Sequence, residues 1–503
     1  MLELQALLEH IGVLPLVLLI LTVSALIYAL RQLVFHPLAD YPGPKLAALS
    51  PLPFVFSNIR GHSHDDLLNL HRKYGTHVRI GPSIVSIATY KAQERVHGGN
   101  PHFPKGQHYK NWQLGVAKPG LTPATDVHDH AVQRAALNPM FFPQNLKKQE
   151  RHIQEGLDLL MEKLYQHKND PDGVDINFWA LAFSSDVITD LAFGETFGSL
   201  KAEKLHWVVE QMNKFFSMIL VLDSFYRILP SWLWSYRESL VPKKVTAQRQ
   251  RLAEFAQTRL VERMNNTALR EDFITALRDV PEEKRLNDAQ LRMNCIGFII
   301  AGGETTSTAL TAAFYFLVTI PRAYTALTTE LRSAFTSPHE ITATNVSALP
   351  YLQHCINETL RLFPPLATLG IRESPGADVD GVWVPHGVEV VTPQWVINRD
   401  EGNFRRAEEF WPERWGNLKE GDGAHGGEDR KRACQPFGMG QRMCIGKALA
   451  MMEMRLVIAR TLFEFDIELA RKVDLVRESR VLMVWNKAPV YLKLTPRYTG
   501  PQA

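Results

Sequence analysis

A mainly helical domain with a small β part, preceded by one N-terminal membrane-spanning helix, is the architecture this sequence predicts. Three observations predict it. An uncharged run, IGVLPLVLLILTVSALIYAL from Ile11 to Leu30, has about the 20 apolar residues that a membrane-spanning helix needs. From about His128 to Phe335 most segments carry helical periodicity, with short breaks such as LPSW, Leu229 to Trp232. The residues that carry chemistry are spread from Arg134 to Cys444 and have to converge, so one large domain over 47–503 is expected where length alone suggests about three.

Residues 1–34 form the anchor. Glu3 and Glu9 precede the apolar run, whereas Arg31 and Lys45 follow it. By the positive-inside rule the N-terminus lies outside or in the lumen and the domain in the cytoplasm. A cleaved signal peptide is the rival reading, but it calls for a basic start, a shorter apolar run and a small-residue cleavage site. Residues 35–46, FHPLADYPGPKL, carry Pro37, Pro42 and Pro44 and predict a stiff, extended connector.

VRIGPSIVSIAT, Val78 to Thr89, reads as two β-branched strands around a Gly-Pro turn. GADVDGVWVPHGVEVVT returns to strand chemistry, with Asp380-Gly381 and His386-Gly387 as turns. LKEGDGAHGGEDRKRA, Leu418 to Ala433, is Gly-rich and charged and reads as a solvated loop.

Hydrophobic residues make up 45% of the 503, enough for a large core. A net charge of +3, with basic residues spread along the chain, gives nucleic-acid binding no support and favours a small ligand. The four cysteines, Cys295, Cys355, Cys434 and Cys444, form no CxxC pair, so neither a disulfide framework nor a structural zinc site is indicated.

One cysteine stands apart. In QPFGMGQRMCIGKALAMMEMRL a loop with three glycines and Cys444 runs into a helical pattern. A thiolate is a strong, soft iron ligand that needs protection from oxidation and protonation. Glycine at 438, 440 and 446 lets the backbone turn tightly and approach a flat cofactor, with amides aimed at the sulfur. Arg442 is placed to pair with an anionic edge of that cofactor.

The pattern Phe437-Gly438-x-Gly440-x-Arg442-x-Cys444-x-Gly446 resembles, position by position, the haem-binding loop of the cytochrome P450 monooxygenases. The resemblance implies that Cys444 is the axial thiolate of a haem b iron and that Phe437 packs beside ligand and ring. It also places the helix from Lys447 beneath the haem, with its N-terminal dipole favouring the thiolate.

Three further stretches carry the same resemblance. Asn294 to Val318 is apolar nearly all round, as a helix crossing a core would be. Its AGGETT segment is similar to the family's oxygen-admitting segment, which implies that Thr305 orients the oxygen ligand and Glu304 relays protons. In YLQHCINETLRLFPP, Glu358 and Arg361 share a helical face, and FWPERW supplies Arg414. In the family these motifs meet in a buried, structural ion network. Arg134 aligns with a propionate-binding arginine, although His130 stands where the family has tryptophan; Arg372 is a further propionate candidate.

Membership of that family, of the fungal microsomal type, implies a monooxygenase in the endoplasmic reticulum membrane with its catalytic domain on the cytoplasmic side. Dioxygen would be the co-substrate. Electrons would come from NADPH through a separate reductase, or cytochrome b5, because the chain has no recognisable flavin or nicotinamide fingerprint. The reductase would dock under Cys444, near Arg442 and Lys447. A lipophilic substrate would be contacted from His102 to Thr125, from Trp207 to Tyr226, by Phe298 and Ala301, from Ala367 to Gly370 and from Leu482 to Trp485. A reductase-independent isomerase or dehydratase, and a haem-binding sensor or carrier, are the alternatives; retention of Glu304-Thr305 argues against both.

Overall fold

A helix of 32 residues, Asp288–Thr319, crosses the core of the computed structural model. Asn287 caps it by accepting from the Gln290 amide, and its residues are buried almost all round, as their apolar pattern requires. Against it lies Ile176–Phe193, likewise buried on nearly every side. Two glycines set the closeness of this contact. A Cβ on Gly302 would stand 2.8 Å from Ile188, and one on Gly303 would stand 2.9 Å from the Ser185 hydroxyl. Helices Pro350–Leu362 and Lys447–Glu464 also pack on the central helix, and Pro143–His167 packs on Ile176–Phe193.

The structure describes residues 13–113, 118–229, 241–266, 270–278, 280–416 and 431–497, with Leu233, Tyr236 and Ser239. Residues 1–12 of the expected anchor, 230–232 of the LPSW break, 114–117 of one expected substrate segment and most of the glycine-rich loop, to Arg430, lie outside them.

The β part is small. One sheet has the spatial order His77–Gly81, Ile84–Ile87, Glu389–Val391, Arg372–Glu373. Its outer pairs are antiparallel and its middle pair is parallel, with Val85 opposite Val390. A second sheet sets Tyr491–Pro496 between Val174–Asp175 and Phe465–Leu469. The expected Asp380-Gly381 turn joins Ala377–Val379 to Val382–Val384, with both turn residues at positive φ, 53° and 82°.

At the N-terminus, Val13–Leu30 continues through Arg31–Phe35, and its span over Leu14–Phe35 is long and apolar enough to cross a membrane, with no residue of it buried in the protein. Arg79 grips its base, donating to the Gln32 carbonyl at 2.8 Å and to Gln32 Oε1 at 2.9 Å. The connector differs from the extended form its prolines suggest. It folds into turns closed by Ala39 N–H to His36 O and Tyr41 N–H to Leu38 O, because Leu38 is drawn wholly into the core beside the first sheet.

Candidate functional site

The loop before Lys447–Glu464 is shaped by two glycines. Gly440 sits at φ +68°, and a Cβ there would collide with the His97 carbonyl; Gly438 sits at φ +67° with open space on its Cβ side. Gly446 is different. It caps the helix at φ −86°, and a Cβ there would meet Phe141 at 3.8 Å and Cys444 Sγ at 4.0 Å, both ordinary contacts.

Within the loop, the Cys444 amide donates to the Phe437 carbonyl at 2.8 Å. The thiol is set deep in the molecule, yet its side chain is exposed, so it opens onto a space inside the fold. Burial pushes this thiol up, while the Gly446 amide, Arg134 and Lys447 pull it back toward the thiolate. Lys447 itself is exposed and holds its ammonium 5.7 Å from the Phe437 ring centre.

The central helix has an open stripe of its own. Ala301 is exposed and Thr305 half-buried, one turn apart, whereas Gly303, Glu304 and Thr306 are buried. The Thr305 hydroxyl donates back to the Ala301 carbonyl at 2.6 Å. Leu366 is exposed too, although Leu362, Phe363 and Ala367 around it are buried.

Beside the loop stands a group of cations that sequence reasoning only partly found. A single antiparallel bridge sets Lys105 opposite Arg372. Arg442 donates to the carbonyls of Ala124 at 2.7 Å and Thr125 at 3.2 Å; Arg134 donates to the Met443 carbonyl at 2.6 Å; Lys105 reaches the carbonyls of Leu121 and Thr122. Among the described residues no carboxylate forms an ion pair with any of the four. Their effect converges on His130, which burial and then Arg442, Lys105, Arg134 and Arg372 push down to about 3. His130 is therefore neutral at any working pH. Burial, then Arg442 and Arg372, holds Lys105 well below the ordinary lysine range. Arg372 Nη1 and His102 Nε2 are buried with no hydrogen-bond partner among the described residues. Lys105 and Arg372 are buried and Arg134 and Arg442 half-buried, with Asp126 acting on Arg442 from beyond ion-pair distance, and cations so gathered are costly to keep together. They suit a ligand that brings two carboxylates, as haem does, and the open thiol and the open stripe suit its flat apolar ring.

Glu358 and Arg361 form a fork, Nε to Oε2 and Nη2 to Oε1 both at 2.9 Å, with neither side chain exposed. Arg361 also donates to the carbonyls of Asn398, Ala407 and Glu409, and Glu358 accepts from Arg414, the Trp411 amide and the Trp415 indole. Burial pushes the Glu358 carboxyl up, but Arg361 and Arg414 outweigh it and hold the group below the usual carboxylate range.

Glu304 and Thr305 are neighbours without a hydrogen bond between them. Glu304 points away from the open stripe and pairs with Lys487, Nζ to Oε1 at 2.5 Å, with both side chains nearly buried. Lys487 lies 183 positions further along the chain, and nothing local to either residue signals the pairing. Of the expected substrate contacts, Phe298 is buried with Phe141 and Phe273, and Trp485 is buried against Phe363 with its indole donating to the Pro364 carbonyl at 2.8 Å. Only Ala301 of the four opens onto the interior space, the fourth being Gly370, whose Cβ position is taken up by the Tyr109 hydroxyl.

Comparison with known proteins decides the family: the cytochrome P450 family model matches residues 42–494. The chain is a cytochrome P450. Averantin hydroxylase of Dothistroma septosporum is 34% identical to this P450 over 95% of the chain and 90% of its own length. Averantin hydroxylase of Aspergillus parasiticus is also 34% identical, over 93% and 94%. Trichothecene C-4 hydroxylase of Trichoderma arundinaceum is 32% identical over 96% and 97%. The P450 is accordingly a monooxygenase of a kind found among fungal secondary-metabolism enzymes. Membership of the family implies a haem with a cysteine thiolate and, in general, a reductase that supplies electrons.

Proposed function

We propose that this P450 inserts one atom of dioxygen into a C–H or C=C bond of a lipophilic fungal metabolite at the endoplasmic reticulum membrane. For hydroxylation the balance is R–H + O₂ + NADPH + H⁺ → R–OH + H₂O + NADP⁺, with a separate reductase carrying the electrons. The observation that carries the reading is the open Cys444 thiol beside four cations, two buried (Lys105, Arg372) and two half-buried (Arg134, Arg442), that form no ion pair with a carboxylate among the described residues. Haem bound there supplies dioxygen activation. Cys444 is its iron ligand, and Arg134, Arg372, Arg442 and Lys105, with neutral His130, hold its carboxylates. Phe437, Gly438 and Gly446 shape the face of the loop toward it.

Thr305 presents its hydroxyl on the open stripe, and Glu304 behind it holds a proton-accepting oxygen away from bulk water. The similarity to averantin hydroxylase and trichothecene C-4 hydroxylase supports hydroxylation over rearrangement. The exposed apolar N-terminal helix supports a membrane location. The test is the difference spectrum of the dithionite-reduced protein with and without carbon monoxide, repeated with Cys444→Ala. A strongly red-shifted Soret band, lost in the variant, is expected; a histidine-type band or no haem overturns the reading.

A further inference from the structure

Behind Glu304 lies a small cavity between the central helix, Ile176–Phe193 and Trp207–Ile228, lined mainly by apolar side chains. Two polar atoms interrupt that lining, Glu304 Oε2 and Ser185 Oγ. Both are buried, and neither has a hydrogen-bond partner among the described residues. The glycine at 303 gives the serine its place, since a Cβ there would stand 2.9 Å from Ser185 Oγ. On the carboxylate's other side, Oε1 is held by Lys487, whose ammonium also donates to Thr308 Oγ1 at 3.0 Å and reaches Ser307 Oγ at 3.5 Å. Asp175 also faces this lysine: its carboxyl is pushed up by burial and drawn down by its own backbone hydrogen bonds and by Lys487.

A buried carboxylate oxygen and a buried hydroxyl left unmatched each carry a desolvation cost. The cavity leaves about 10 Å³ for the centre of a water molecule, the lower bound of what one water occupies. A water also needs at least two polar partners, and this cavity has two. Size and chemistry agree on the occupant.

We propose that one buried water bridges Glu304 Oε2 and the Ser185 hydroxyl, and that Lys487, by fixing Oε1, holds the carboxylate in the orientation that keeps this water. Ser185 and Lys487 are then positioning residues for proton delivery, and the inference rests on the reading of Glu304 as the proton relay. The water donates to Oε2 and accepts from the Ser185 hydroxyl, so both atoms are satisfied and the carboxylate keeps its orientation without opening the Lys487 pair. Filling the cavity removes the water; removing Lys487 releases the carboxylate from it.

The experiment uses the haem-loaded full chain with reductase, NADPH and dioxygen and no added substrate. The reaction read is then NADPH + H⁺ + O₂ → NADP⁺ + H₂O₂, and every peroxide formed takes up two protons. Ser185→Val and Lys487→Met are expected to slow NADPH oxidation by about ten-fold and to enlarge its solvent isotope effect, less than the roughly 10²–10⁴-fold of a direct proton donor because both residues act through Glu304. Lys487→Arg should recover most of the rate. Reduction of the haem and the carbon monoxide band should stay unchanged in all three. A crystal structure of the loaded protein gives a readout independent of turnover: density for one water within hydrogen-bond distance of both atoms.

Rates and isotope effects unchanged in Ser185→Val and Lys487→Met, in a protein with the thiolate-type band, overturn the inference and leave the proposed function standing. Absence of that band in the unaltered protein overturns the function instead, and the water site is then judged by the crystal structure alone. An empty cavity, or Oε2 turned onto a protein donor, overturns it.

Discussion

Lys105 and Arg372 face each other across one antiparallel bridge, two buried cations held side by side by backbone pairing. The adjoining bonds, Gly106 N–H to Ile371 O and Glu373 N–H to Pro104 O, fix both segments, so neither charge can swing far from the other. Such a pair destabilises the protein without haem and strengthens the hold on a ligand with carboxylates. Lys105→Met is therefore expected to raise the thermal midpoint of the apoprotein and to weaken haem retention, read as faster haem transfer to apomyoglobin. The sign in pH follows from the lowered lysine. Between its folded pKa and about 10.5 the unfolded chain binds more protons, so the apoprotein gains stability as pH rises through that window. The Met variant lacks that gain.

Glu358 is the hinge of the ion network, and among the described residues its two guanidinium partners form no ion pair with another carboxylate. Glu358→Gln leaves Arg361 and Arg414 facing a neutral amide inside the core, a loss of about 3–5 kcal/mol. Denaturant titration at neutral pH should show it. Because the folded pKa of Glu358 is depressed, the stability it contributes is present above the ordinary carboxylate range and is lost as pH falls through the folded value. Wild type and variant should therefore converge in acid.

The glycines of the cysteine loop are not equivalent. Gly440→Ala forces a side chain into a left-handed backbone, at about 1–2 kcal/mol, and onto the His97 carbonyl. It is expected to lose haem and the red-shifted carbon monoxide band. Gly446→Ala meets only ordinary contacts and should keep the band. Equal loss in both variants would show that the loop needs glycine for a reason other than backbone geometry.

Lys447 is exposed at the start of the helix that follows the cysteine. Lys447→Glu should slow the first electron transfer from the reductase by about ten-fold at low salt, with the difference fading at high salt as screening shortens the reach of charge. Stopped-flow reduction measures it. A slowing that salt does not relieve would place the effect at the Phe437 ring and the thiol instead of at a docking face.

What was legible in the sequence had its cause nearby in the chain. The apolar run of the anchor, the all-round apolar pattern of the central helix, the Asp380-Gly381 turn and the cysteine loop each follow from residues within one or two turns of one another. Even Glu358 and Arg361 share a helix, and burial is what makes that pair stronger than a surface one. What was not legible depends on chain crossing. Lys105 becomes part of the cation group only because it pairs with a strand 267 positions away, and Lys487 finds Glu304 from the far end of the chain. His97 looks like any helix-end histidine until Gly440 brings the loop against its carbonyl. The connector misled for the same reason: proline chemistry disfavours helix but does not say that Leu38 will be pulled into a core.

Glu453 belongs to this second kind. It sits on Lys447–Glu464 with 2% of its surface exposed, Oε2 has no hydrogen-bond partner among the described residues, and burial alone raises its carboxyl well above the ordinary 4.5. Burial favours the protonated carboxyl in the folded protein, whereas the unfolded chain ionises it above about pH 4.5. From about pH 4.5 up to the folded pKa, the folded state binds the extra proton, so stability falls as pH rises, by about 1.4 kcal/mol per unit. Glu453→Gln removes that dependence. The variant should match wild type near pH 4.5 and unfold at a higher temperature than wild type at pH 8. A variant less stable than wild type at pH 8 would mean that the carboxylate has a partner in the loaded protein, and the haem spectrum of the variant would show whether that partner lies on the cofactor side of the helix.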